Sequence, residues 1–342
     1  MTGINKPFKI LSFETSCDDT STAVIDNSYK VYSNCISSQL IHEEFGGVVP
    51  ELASRLHLKN IMWLTRLALE KSDQKLSDID AIAVSINPGL IGSLLVGVSF
   101  AKSLAYAAQK PLIAVNHMVG HLYAIKLDYP DLEPPYLALV ASGGHTELVH
   151  FFAKQEYKLI GKTRDDAAGE AFDKAAKLMG LGYPGGPLID KLARNGNKKY
   201  YKFPLGLDRK DDFDFSYSGL KTSIRNYLHN KSTEEIKTHQ EDIAASIQAA
   251  IIDIMVKKAL NYAVQNNIGR IVAAGGVAAN SYLRQKLTSR AGRYNIEVFF
   301  PSIGYCMDNA AMIGAAAIDK YQRQEFSGLD LNAFSTKGLR FV

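Results

Sequence analysis

Short apolar runs, bounded by glycines and small polar residues, alternate along this chain with longer stretches of helical period, the pattern of an α/β protein. KILSFETSCDDTSTAVID reads as strand, small polar turn and second strand, and YLALVASGGHTELVHF repeats that order later. The turns are rich in Ser, Thr and Gly, whose N–H groups and hydroxyls wrap a phosphate without steric penalty, although a plain hairpin has the same pattern. A second correspondence runs beside the first. DAIAVSINPGLIGSLLVGVSFAKSLA predicts strand, glycine-containing loop and helix, and GRIVAAGGVAANSYLRQKL predicts them again near the other end. There Asn280 stands where a helix N-cap is required, behind Gly275 and Gly276 at the end of a buried strand. Two related α/β halves are expected, each opening with a turn-bearing hairpin, with a nucleotide in the cleft between them.

Between the second hairpin and the later strand, at about 163–245, the period is mainly helical. In TRDDAAGEAFDKAAKLMG, Glu170, Asp173 and Lys177 share one helix face while Ala171, Phe172, Ala175 and Leu178 form the packing side. LGYPGGPLIDKLA then puts two glycines in front of a helix carrying Asp190, a place for close ligand approach or for a mere turn.

Composition narrows the class. The chain has 342 residues, 46% of them apolar, enough for about two domains with their own cores. Its net charge of +4 permits an anionic partner without demanding one. Three basic groups bear on that: Lys198, Lys199 and Lys202 among tyrosines, Lys221 with Arg225, and Arg284, Lys286, Arg290 and Arg293 after Asn280. Together they fit nucleic acid as well as a solubility face. Cys17, Cys35 and Cys306 are odd in number and widely spaced, and they read as reduced thiols of a cytoplasmic protein. MTGINKPFKI has too little apolar length for a signal peptide. No charge falls between Asp80 and Lys102, yet Asn87-Pro88-Gly89 breaks that stretch into strand, tight loop and buried helix, so no membrane association is expected.

Candidate chemistry centres on His117 and His121 in VNHMVGHLYA. With 116–127 helical, the two imidazoles lie one turn apart, with Cβ atoms roughly 6 Å apart, which suits two ligands of one metal ion or two ordinary histidines. A third ligand has to come from elsewhere.

The segments ETSCDDT, FGGVVPELASR, PGLIGSLLVG, HMVGH, SGGHTELV, DDAAGEAFDKAAKLMGLGYPGGP, FSYSGLKT, GGVAANSYLR and CMDNAAMIG follow one another in this order. In this the chain resembles the universal family of tRNA N6-adenosine threonylcarbamoyltransferases, once classed as O-sialoglycoprotein endopeptidases, over nearly its whole length. SGGH, with His145, is similar to the bacterial branch. The resemblance implies an actin-like ATPase and sugar-kinase fold, with one α/β domain at 1–116, a second at 117–308 holding the helical insertion, and the segment at about 309–342 packing back as a helix on the first. It also supplies the third ligand, so that His117, His121 and Asp308 hold a divalent metal, Fe2+ before Zn2+ or Mg2+. The nucleotide-shaped substrate is implied against Val140, Ala141, Ser142, Gly143, Gly144, Asp173, Gly186, Asp190 and Asn280, with Glu14 at the phosphate end.

The implied reaction is transfer of the threonylcarbamoyl group from threonylcarbamoyl-AMP to N6 of the adenosine 3′ of the anticodon, in tRNAs reading codons that begin with A. AMP is released, the metal polarises or positions the reacting oxygens, and His145 is a candidate base. Implied partners are the threonylcarbamoyl-AMP synthase, an inactive paralogue of similar fold and a small P-loop ATPase. A metalloprotease is the main rival. A zincin, however, carries its water-activating glutamate directly after the first histidine, where this chain has Met118. A small-molecule kinase or a nucleotide-gated scaffold of the same superfamily needs no histidine pair.

Overall fold

The computed structural model describes residues 7–154 and 156–335; the first six residues of the MTGINKPFKI segment, and residues 336–342 of the segment expected to pack back, lie outside them. Contacts separate two units, Met1–Leu132 with Met307–Val342, and Glu133–Cys306.

In the first unit β1 (Lys9–Glu14), β2 (Asp19–Asp26), β3 (Val31–Ser38), β4 (Ala81–Asn87) and β5 (Leu112–Asn116) form one sheet in the order β3-β2-β1-β4-β5. The first three strands pair antiparallel; β1 with β4 and β4 with β5 pair parallel. β4 is buried at every position, as a central parallel strand covered on both faces must be. Helices α1 (His42–Phe45), α2 (Pro50–Lys71), α3 (Ile91–Ala108) and α4 (His117–Tyr123) belong to this unit, with the C-terminal helix Ala310–Gln322. By length and composition α3 is apolar enough to cross a membrane, but Leu94, Val98, Ala101 and Ala105 lie in the core with Ile82 and Val84 of β4. It is a core helix, and the expected strand, loop and helix at 81–101 are present.

The second unit repeats the plan. β6 (Tyr136–Ala141), β7 (Thr146–Ala153), β8 (Glu156–Lys162), β9 (Arg270–Ala274) and β10 (Glu297–Phe299) form a sheet in the order β10-β9-β6-β7-β8. Again three strands are antiparallel and two join parallel. The two hairpins matched in the sequence are thus β1–β2 and β6–β7. The two matched strand–helix segments are β4–α3 and β9–α10. Helices α5 (Ala168–Leu178), α6 (Gly185–Ala193), α7 (Ser218–His229), α8 (Thr233–Thr238) and α9 (Gln240–Gln265) come before β9, then α10 (Ser281–Ala291) and α11 (Ile303–Cys306). Along α9, Ile247, Ile251, Ile254 and Met255 are buried with Leu137, Leu139 and Leu148 of the sheet.

Two boundaries differ from the sequence reading. The expected helix over 116–127 is α-helical only to Tyr123 and ends in a 3-10 turn, Ala124–Leu127. The units divide after Leu132 and after Cys306 where the sequence reading divides at 116 and 308. The physical reason lies at Gly120, where an added Cβ would stand 2.8 Å from Ile313 Cδ1 of the C-terminal helix. That close approach seats α4 against the C-terminal helix and keeps residues 117–132 with the first sheet. The helix itself stops at Gln322.

Candidate functional site

Asn116 ends β5 and caps α4, its side-chain oxygen accepting from the Met118 and Val119 N–H groups. This fixes the first turn, so His117 and His121 project from successive turns with ring centroids 4.7 Å apart. Asp308 arrives from the far end of the chain and is held just as firmly. Asn309 caps the C-terminal helix by accepting from Met312 N–H, Ala310 N–H donates to Ser21 Oγ at 2.9 Å, and Ser12 Oγ donates to Ala310 C=O at 2.6 Å. Strands β1 and β2 therefore pin the residue two places beyond Asp308. The carboxylate Oδ1 comes within 3.1 Å of His121 Nε2 and 3.5 Å of His117 Nε2, and one donor atom from each of the three residues fits within 4.8 Å.

His121 is fully buried, and neither ring nitrogen has a hydrogen-bond partner, although Asp308 stands beside Nε2. A buried polar atom left unpaired costs about 1–3 kcal/mol, so this imidazole is arranged for something other than the protein's own hydrogen bonds. His117 points the same way. Burial disfavours its charged form, but the carboxylates of Glu14 and Asp308 outweigh that and lift it to about 9. The same two carboxylates would favour a metal cation beside the ring once its proton has left. Two imidazoles and one carboxylate, with positions left open, fit a divalent ion that must also meet a substrate.

Glu14, expected at the phosphate end, is engaged with its own hairpin and with His117. Its fully buried carboxylate receives Ser16 N–H on Oε1 at 2.5 Å and stands 2.9 Å from His117 Nδ1 through Oε2. Ser16 Oγ lies 3.1 Å from the same nitrogen. The small polar turn of the first hairpin thus orients a histidine. Nearby, burial pushes Asp19 up to about 7, Ser38 opposes it, and Asp308, Asp18 and Glu14 add to it. Met118, at the zincin glutamate position, is buried in the core.

The other candidate residues gather in the second unit. Ser142 N–H donates to His145 C=O at 2.8 Å and closes the 142–145 turn after Val140 and Ala141 end β6. Gly143 and Gly144 have open space where a Cβ would stand, as has Gly186. Gly169 N–H donates to Ser142 C=O, bringing the start of α5 onto this turn. Asp173 Oδ1 accepts from Gly185 N–H at 2.7 Å and ties α5 to α6. Asp190 Oδ1 accepts from Ser281 Oγ at 2.7 Å, joining α6 to the first residue of α10. Asn280 caps α10 as its position predicts, and its amide donates to Gln248 on α9. Gly275 has φ +85°, and a side chain there would collide with Ala141 C=O, so the ends of β6 and β9 meet only because this residue is glycine. Val140–Gly144, Asp173, Gly186, Asp190 and Asn280 are therefore linked through shared contacts, and three helix N-termini belong to that group.

Two sets of residues escape sequence reasoning. Ser16 orients His117, and Ser12 and Ser21 hold Ala310 two residues beyond Asp308, yet they read only as hairpin polarity. Arg284, grouped in the sequence with exposed bases, has its guanidinium spent on backbone. It donates to Ala278 C=O at 2.7 Å and Pro301 C=O at 2.6 Å, and lies over the Phe300 ring. It clamps the 276–279 turn to the segment leading toward Asp308.

Opposite Val140 in the sheet stands Glu147, 3% exposed, with Oε2 unpartnered. Burial raises it to about 7, with Lys162 offsetting only part. The folded chain therefore holds this proton where the unfolded chain has released it, so stability falls as pH rises from about 4.5 to about 7. Glu147→Gln is expected to flatten that slope and to stabilise the protein at pH 8 by about 1–3 kcal/mol. Urea unfolding at pH 5 and pH 8 checks this; equal wild-type and variant slopes would contradict it.

A family model described as tRNA N6-adenosine threonylcarbamoyltransferase matches residues 30–315. Curated proteins with that name are similar over almost the whole chain. The one from Kosmotoga olearia is 50% identical over 326 residues, 95% of this chain and 97% of its own length. That from Caldicellulosiruptor saccharolyticus is 48% identical over 325 residues, 95% and 96% of the two chains. Among solved structures, T. kodakarensis HypF aligns with TM-score 0.60 and 13% identity over 93% of this chain and 48% of its own. The activator of 2-hydroxyisocaproyl-CoA dehydratase from Clostridium difficile, with bound ADPNP, aligns with TM-score 0.51 and 13% identity over 94% and 99%. These likenesses are of fold, the actin-like ATPase fold.

Proposed function

This chain belongs to the tRNA N6-adenosine threonylcarbamoyltransferase family, and on that premise we propose how its own residues serve the transfer. It is an acyltransferase that forms threonylcarbamoyladenosine in tRNA. The donor is threonylcarbamoyl-AMP and the acceptor is N6 of the adenosine 3′ of the anticodon, in tRNAs reading codons that begin with A. A bond forms between the carbamoyl carbon and N6, the bond to the phosphate oxygen breaks, AMP leaves and the amine loses a proton. His145, at the mouth of the 142–145 turn, is the proposed acceptor of that proton.

Buried His121, with Nδ1 unpartnered and Nε2 facing only the carboxylate of Asp308, carries the assignment of the metal ligands. His117, His121 and Asp308 hold one divalent ion, Fe2+ in preference to Zn2+ or Mg2+. When bound, that ion supplies Lewis-acid polarisation of the reacting carbamoyl and phosphate oxygens. The protein's share is positional. Glu14 and Ser16 fix the His117 ring, while Ser12 and Ser21 fix the approach of Asp308. The nucleotide part belongs to Val140–Gly144, Asp173, Gly186, Asp190 and Asn280. The open glycines admit phosphate and ribose close to the backbone, and the N-termini of α5, α6 and α10 favour the anion.

Helix α2 exposes Leu58, Met62 and Trp63, which supports a protein partner on the first unit, assigned here to the inactive paralogue of similar fold. The threonylcarbamoyl-AMP synthase supplies the donor, and the small P-loop ATPase completes the set. Cys17, Cys35 and Cys306, two of them buried, form no disulfide among the described residues, which supports a cytoplasmic setting. Mass spectrometry of nucleosides from unmodified tRNA, incubated with the chain, the adenylate, metal and partner proteins, tests the reading. The expected result is threonylcarbamoyladenosine; its absence with every component present overturns it.

A further inference from the structure

Three basic groups stand apart in the sequence, and the second unit sorts them. Lys221 and Arg225 lie on the other side of the buried Leu220–Ile224–Leu228 stripe of α7 from Thr222, Asn226 and Asn230. Arg284 is spent on carbonyl groups, Lys286 is paired with Asp253, and Arg290 and Arg293 are exposed at the far end of α10 from Ser281. Lys198, Lys199 and Lys202, in the loop after α6, remain exposed and form no ion pair among the described residues.

That loop has chemistry on both flanks. On one, Lys198 Nζ lies 5.0 Å from the centre of the Tyr282 ring, one residue beyond Ser281, whose hydroxyl is held by Asp190. On the other, Tyr201 packs on Tyr227 of α7 with ring centroids 4.2 Å apart. Between the loop and α7 runs a cleft of about 600 Å³, lined by these two rings, by Thr222, Ser223, Asn226 and Asn230, and by Lys231, which is paired with Glu235. Aromatic faces, hydroxyls and amides that both donate and accept, and unpaired lysines in the adjoining loop are what an unstacked nucleotide requires. An acidic protein segment would use the lysines but has no need of two packed tyrosine rings and an amide-lined floor.

We propose that this cleft is a contact surface for a single-stranded loop of the substrate RNA, the lysines of 198–202 neutralising phosphates and Tyr201 with Tyr227 stacking a base next to the one that reacts. The inference rests on the tRNA reading above. It extends that reading to a surface continuous, through Tyr282 and Ser281, with the nucleotide-binding residues.

The test is fluorescence anisotropy of unmodified tRNA with the full chain over a salt series. Reversing Lys198, Lys199 and Lys202 to Glu is expected to weaken binding at least tenfold and to reduce the slope of log Kd against log salt by about 2, at roughly 0.7 per single-strand phosphate. The triple Lys→Arg variant is expected to keep both. Tyr201→Ala weakens binding about tenfold without changing the slope, and Tyr201→Phe restores it. AMP affinity, unchanged in all four, reports that the second unit is folded. An unchanged tRNA Kd and slope in the Glu variant overturns the cleft, as does loss of a protein partner's binding with tRNA binding intact. If wild-type chain with its partners neither binds nor modifies tRNA, the functional reading fails instead.

Discussion

With His117 and His121 both replaced by alanine, threonylcarbamoyladenosine formation is expected to fall by about 10³-fold or more, to background in the nucleoside assay. Removal of both imidazoles leaves Asp308 as one carboxylate, which binds no divalent ion tightly at micromolar metal. Lewis-acid stabilisation contributes several kcal/mol to a transition state, and each 1.36 kcal/mol is about tenfold in rate. Metal analysis of the purified proteins should show about one equivalent in the wild type after reconstitution and none in the variant. A metal-free double mutant that remains as active as metal-bound wild type would remove the metal from the reaction.

Stability gives an independent sign. His121 is buried, its Nε2 faces only the carboxylate of Asp308, itself 24% exposed, at 3.1 Å, and neither of its nitrogens makes a hydrogen bond. Its replacement by leucine, which roughly keeps the volume, therefore takes away an unsatisfied polar group in the metal-free protein and is expected to cost nothing or to stabilise by about 1 kcal/mol. Added metal should raise the Tm of the wild type and leave that of His121→Leu unmoved, by the linkage of ligand binding to folding. If the metal-free leucine variant were several degrees less stable than metal-free wild type, His121 would be a core histidine that the fold itself requires.

Much of this arrangement is legible from the chain because it rests on local pattern. Hairpins, strand–loop–helix segments and the Asn280 cap depend on residues close in sequence, and the same order at both ends exposes the duplication. The four-residue spacing of His117 and His121 is legible for the same reason, since one helical turn is a local quantity. Asp308 is different. It reaches the histidines across the chain through Ser21–Ala310 and Ser12–Ala310 bonds that no spacing encodes, and only the resemblance to a family named it beforehand. The unit boundary at Leu132 is hidden likewise, because what keeps residues 117–132 with the first sheet is the close approach of Gly120 to Ile313. Arg284 shows the converse error. Charge in a sequence reads as surface, but a guanidinium has five donors, and three carbonyl or sulfur acceptors within reach tie it, half-buried, to the protein's own loops.

Glu14→Gln separates the charge of the first hairpin from its shape, and its effect on metal affinity is expected to be 10–100-fold. The carboxylate meets two demands at once, accepting from Ser16 N–H through Oε1 and pairing with His117 Nδ1 through Oε2. Both partners are donors when His117 is oriented to present Nε2 toward Asp308, and a glutamine has one acceptor oxygen to offer them. One donor is left facing an NH2 group in a fully buried place, at a cost of about 1–3 kcal/mol, and the ring loses the partner that holds it. The proton inventory must shift too. In the metal-free protein the raised value of His117, about 9, stabilises the fold below pH ~6.5, and that stabilisation is lost as pH rises toward 9. Without the Glu14 charge the His117 titration moves down and the loss begins at lower pH, which NMR of the metal-free imidazoles follows directly. Calorimetric metal affinity within threefold of wild type, together with an unmoved His117 titration, would show that Glu14 only fills space; the geometry requires both to change.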